Sequence, residues 1–100
     1  MEKKLIDLEE YFKAGKEIPK GQEYKFRVDK KTVTTTEESL TGRQILEKAD
    51  YTPAENYLLR QITKGNQKIP IDLGQSVDLT EPGIERFVTI PKDPTDGERV

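Results

Sequence analysis

No cysteine and no histidine occur anywhere in the chain, and there is no tryptophan. Their absence removes thiolate nucleophiles, disulfides, zinc sites built on cysteine or histidine, and imidazole general bases. An excess of one charge sign is also missing: 17 lysines and arginines face 19 acids, for a net charge of −2. A nucleic-acid binder would carry a clustered basic excess, so no nucleic-acid partner is expected. No apolar run approaches the ~18 residues of a membrane span, and the charged start MEKKLIDLEE lacks the apolar centre of a signal peptide. A cytoplasmic protein without membrane contact is therefore expected. The remaining carboxylates could do acid–base work or hold a hard cation, but they are scattered at element ends without EF-hand spacing. The chain accordingly reads as a non-enzyme with no metal and no cofactor of its own.

What is present suits one small domain: 100 residues, of which 32% are apolar and 36% charged, enough for one modest core. Residues 1–23 read as a polar leader. Within it Leu5, Leu8 and Phe12 recur at helical spacing and predict one short amphipathic helix, stopped by Gly15 and Pro19. A helix this short is marginal alone, so its stripe either docks on its own domain, meets a partner, or frays. Deletion of residues 1–16 is expected to leave the domain folded.

From residue 24 the pattern changes. Tyr24, Phe26 and Val28 alternate with Lys25, Arg27 and Asp29, and a β-branched run follows from Thr32 to Thr36, which predicts a hairpin. In SLTGRQILEKA, Thr41 and Gln44 form a capping box, Leu40 and Ile45 a hydrophobic staple, and Ile45, Leu46 and Ala49 an apolar stripe. The helix is expected at about 41–50, with Leu46 in the core. NYLLRQI (56–62) predicts a strand, and Gly65-Asn66 a tight turn. KIPIDL predicts an edge strand because Pro70 cannot donate a ladder hydrogen bond. GQSVDLTEPGIE is a connection with a short helical turn near Thr80–Gly83. RFVTI (86–90), apolar or β-branched on both faces, suits a central strand ended by Pro91.

Hairpin, crossover helix, strand, edge strand and central strand together predict an α+β β-grasp domain over 24–90, with a mixed sheet of four to five strands and one main helix. A ferredoxin-like sandwich would need a second full helix. Residues 91–100 are expected to form a polar, flexible tail. If Leu58 and Ile62 face the helix, then Leu59, Val88 and Ile90 project outward as an exposed apolar patch, a feature that often marks a binding surface. Arg60 and Arg86 have no neighbours suggesting a phosphate site, and the glycines lack phosphate-loop spacing.

The strings YKFRVDKKTV, SLTGRQILEKA, TPAENYLLRQI, VDLTEPGIERFVTIP and DPTDG resemble the bacterial multiubiquitin family of ubiquitin-like domains over roughly residues 17–97. The resemblance implies a protein modifier, served by proteins like activating enzymes, conjugating enzymes and JAB peptidases. It implies that ATP is used by the activating partner rather than by this chain, and that the outer sheet face is the recognition surface. Ubiquitin-type modifiers react through a terminal Gly-Gly, whereas this chain closes on Gly97-Glu98-Arg99-Val100. Conjugation or processing is therefore expected at Gly97 after trimming, with Val100 as the alternative reactive end. The other reading is a β-grasp interaction module that is never ligated.

Overall fold

A computed structural model describes residues 4–92. In chain order these form β1 (Leu5–Asp7), α1 (Leu8–Ala14), β2 (Glu23–Val28), β3 (Lys31–Thr35), β4 (Ser39–Thr41), α2 (Gly42–Lys48), β5 (Tyr57–Thr63), β6 (Gln67–Ile71), β7 (Ser76–Asp78) and β8 (Arg86–Pro91). Six strands make one mixed sheet and β4 with β7 make a two-stranded ribbon. The α+β architecture is the expected β-grasp, with more strands than the pattern showed and two seven-residue helices in place of one.

The hairpin pairs Tyr24 with Thr35 through to Val28 with Lys31. Alternation sends Tyr24, Phe26 and Val28 into the core and leaves Lys25 and Arg27 on the other face. β8 is central, as its apolar character predicts. It runs antiparallel to β5 from Ile62↔Arg86 to Tyr57↔Pro91, and parallel to β2 at Val28↔Phe87. The Phe26 and Phe87 rings meet edge to face at 5.5 Å between centroids. β6 pairs only with β5, and Pro70 lies in it as an edge strand permits.

Helix α2 begins as its sequence dictates. The Thr41 hydroxyl accepts from the Gln44 amide at 3.2 Å, and the Gln44 side chain accepts from the Thr41 amide at 2.9 Å. Leu40, Ile45, Leu46 and Ala49 are all buried in the core. Gly42 has a reason that the capping pattern hides. A Cβ there would collide with the Asp72 carbonyl, and the Gly42 amide donates to the Gln75 carbonyl. Only glycine lets the helix start press against that loop.

The leader departs from its expected form. Asp7 caps α1, its carboxylate accepting from the amides of Glu9 and Glu10. That cap holds residues 5–7 extended, so Leu5 lies in a strand rather than on the helical stripe. β1 pairs parallel with β2, Ile6 opposite Tyr24. Ile6 is 1% exposed while Leu5 is 52% exposed, the alternation of a strand. Leu8 is fully buried, Ile18 is buried and Phe12 half-buried. Gly15 ends the helix at φ 68°, as expected. The leader thus belongs to the same core as residues 24–90, and it docks beside β2 rather than on the outer patch of β5 and β8. The connection after β6 also differs: it contains β7, whose Val77 pairs with Leu40. At Thr80 the Asp78 carboxylate accepts from both the amide and the hydroxyl, making a turn instead of a helix.

Leu8→Ala and Leu46→Ala should each cost about 2–5 kcal/mol, because both side chains are fully enclosed. Deleting residues 1–16 should unfold the protein, reversing the expectation from sequence. Chemical denaturation followed by circular dichroism measures all three, and a folded deletion variant would show that β1 and α1 are dispensable. Thr41→Ala should cost about 0.5–2 kcal/mol by removing the helix cap, and an unchanged midpoint would mean that other groups satisfy the first-turn amides.

Candidate functional site

Cross-strand register decides which side chains face away from α2. On the outer face Leu58 stands opposite Ile90, Arg60 opposite Val88, and Ile62 opposite Arg86. On the next strand over, Arg60 faces Pro70 and Ile62 faces Lys68. Leu58 is 45% and Ile90 38% exposed, and Val88 is half-buried. These three side chains form an apolar cluster at one end of the outer face, with Arg60 beside it and Lys68 farther along, opposite Ile62. Among the described residues no acid pairs with either cation.

Val88 and Ile90 lie where the sequence places them, but Leu59 does not. It is 3% exposed, opposite Thr89 and Ile71, and belongs to the core. The expected parity of β5 is off by one residue, which exchanges every side chain between faces. The cause is Tyr57, whose ring packs against Tyr51 at 5.0 Å on the α2 side of the sheet. With Tyr57 inward, Leu59 is inward and Leu58 takes its place in the exposed cluster. Ile62 lies on the outer face by register and is nonetheless fully buried, outside the main core. Gly97 and Val100 lie outside the described residues.

The leader reaches the same face at β2. Arg27, pointing outward, donates two hydrogen bonds to Glu9 of α1 at 2.8 and 2.9 Å, and Lys25 lies 3.4 Å from Asp7. The Arg27 hydrogen bonds hold the Glu9 carboxyl below its usual range against the opposing effect of burial. Charged pairs therefore occupy the β2 side of the face, and the Leu58–Ile90 end remains open.

The position of β8 is held by Asp29, in the left-handed region at φ 56°. Its carboxylate accepts from the Thr89 amide at 2.9 Å, the Thr89 hydroxyl at 2.6 Å and the Tyr51 hydroxyl at 2.7 Å. Lys31 lies over the Tyr51 ring, 4.4 Å from its centroid, and donates to the Ala49 carbonyl. Pinning Thr89 fixes the strand on either side of it and so sets Val88 and Ile90 outward. Burial alone would raise the Asp29 pKa, but the hydrogen bonds from Thr89 and Tyr51 prevail and lower it. The network offers no reactive group, and no cluster of metal-binding side chains exists among the described residues.

Comparison with known proteins gives one match. The family model described as Multiubiquitin matches residues 24–92. No curated protein and no solved structure matches the chain.

The Asp29 network has a definite pH sign. A lowered folded pKa stabilises the fold above the unfolded value of ~3.9, and this contribution is lost as pH falls through the folded pKa. Asp29→Asn should cost about 1–3 kcal/mol at pH 7, since asparagine tolerates the positive φ but lacks the charge. Urea melts of both proteins should converge as pH drops below ~4. A gap that stays constant from pH 7 to pH 3 would mean that ionised Asp29 is not the source.

Proposed function

This chain belongs to the multiubiquitin family, and from that we propose a ubiquitin-like protein modifier of a bacterial-type conjugation pathway. The geometry that carries the reading is a juxtaposition. The Lys92 amide donates to the Asn56 carbonyl at 2.8 Å, so the chain leaves the sheet beside the Tyr57↔Pro91 pair. The next pair along is Leu58↔Ile90, the exposed end of the apolar cluster. A partner docked on that cluster stands next to the root of the tail it would process. Such partners resemble activating enzymes, which supply ATP chemistry, and conjugating enzymes and JAB-type peptidases. The reactive end is Gly97 after trimming, or the Val100 carboxylate if no trimming occurs.

The exposed Leu58, Val88 and Ile90 cluster also favours a second reading, because it needs no covalent step. A β-grasp module that binds a partner and is never ligated would present the same face.

Incubation with a cognate activating enzyme and ATP, followed by intact mass, separates the two. The modifier reading expects an adenylate or conjugate, abolished when the chain is shortened to end at Asp96, and slowed ~10-fold or more by Leu58→Arg/Ile90→Arg at the docking cluster. Conjugation by the shortened chain would remove Gly97 from the chemistry. If no form is ever activated while the Leu58→Arg/Ile90→Arg variant still loses partner binding, the interaction module stands instead.

A further inference from the structure

A groove of about 500 Å³ opens between the end of α1 and the loop before β8, and one wall of it lies in the leader, before the matched family segment. Its apolar lining includes Phe12, Ile18 and Pro82, and every charged side chain lining it is a lysine: Lys13, Lys16 and Lys64. These ammonium groups are poorly compensated. Lys13 approaches Glu9 at 3.5 Å and is 66% exposed, while both Glu9 oxygens are already engaged by Arg27. Lys16 lies over the Tyr11 ring at 5.5 Å, and among the described residues neither it nor Lys64 has an acidic partner. At the helix end the Tyr11 and Phe12 carbonyls accept from the amides of Lys16 and Gly15.

We infer that this groove is a docking site for an extended acidic peptide of a partner protein, with an apolar side chain against Phe12, Ile18 and Pro82 and its carboxylates at Lys13, Lys16 and Lys64. Charge complementarity selects an acidic occupant. The apolar lining selects a peptide over a compact anion. Exposed lysines alone hold an anion weakly, and no buried polar group converges on the groove to cage one. The site is distinct from the outer-face cluster, so it stands or falls independently of conjugation.

The test uses the full chain and a fluorescein-labelled ten-residue peptide of glutamate and aspartate with one central phenylalanine. Fluorescence anisotropy should show binding that K13Q/K16Q/K64Q weakens about tenfold or more, as expected for three partly exposed ion pairs, and that rising salt weakens in the wild type. Replacing the peptide phenylalanine with serine should weaken it about tenfold or more, the value of one buried apolar side chain. Amide shifts in a nitrogen–proton correlation spectrum should cluster at residues 11–18, 64 and 83. Unchanged affinity in the triple variant overturns the proposal, and so do shifts centred on Leu58 and Ile90. Equal binding of the serine peptide, or displacement by millimolar inorganic phosphate, reduces the groove to a plain anion patch and also overturns it. Should the triple variant melt early, Lys64→Gln alone, placed in the turn after β5, must still weaken binding about two- to threefold.

Discussion

Strand β2 has two edges and three neighbours. One edge carries β3 along its length. The other is divided between two parallel strands, β1 at Glu23–Lys25 and β8 at Val28. β1 holds the beginning of that edge, and because β2 ends at Val28, β8 has one paired position there. Beyond Phe87 the amides of β8 that point toward β2 find no strand there. Asp29 answers that need at Thr89, where its carboxylate takes the place of a ladder carbonyl. The end of β2 thus puts an acceptor at the hairpin turn, in a left-handed conformation that aspartate accepts more readily than most residues. The same carboxylate holds Tyr51, so the loop after α2 is tied to the hairpin and to the central strand at one point.

Much of this follows from local patterns strong enough to survive packing. The capping box at Thr41 and Gln44, the alternation of Tyr24, Phe26 and Val28, and the doubly apolar β8 each have one physical reading, and the structure has the corresponding element. What stays hidden in the sequence is short or depends on distant residues. β1 and β7 are three residues each, too short for a period-two signal to separate from chance. The Asp7 cap was available as a signal, and it marks Leu8 rather than Leu5 as the helix start. The parity of β5, read with Leu58 and Ile62 toward the helix and Leu59 outward, is reversed in the structure, where Leu59 lies in the core and Leu58 faces out. Only the Tyr51 ring decides between these two parities, and that contact joins the strand to the loop before it. Alternation fails as a guide where no polar residue interrupts it.

The leader has consequences beyond the sheet. Ile6, Leu8 and Ile18 complete a core that the matched segment 24–92 would leave open. Glu9 meanwhile neutralises Arg27 on the outer face. In a chain with so little apolar content, both effects matter: the leader adds buried area, and it removes a cation from the surface that the apolar cluster shares. Arg60, opposite Val88, then stands beside that cluster without an acidic partner among the described residues.

The apolar cluster and the lysine groove lie at opposite ends of β5. Leu58 and Lys64 are six residues apart in sequence, about 20 Å at the rise of an extended strand. That separation exceeds the Debye length of ~8 Å at physiological salt, so charge at one surface is screened from the other. Rigid pairing of β5 with both β6 and β8 spans the interval and offers no hinge between them. Occupation of one surface should therefore neither block nor prepare the other. If both surfaces are occupied as proposed, the paired strands β5, β6 and β8 act as a fixed spacer between the two sites.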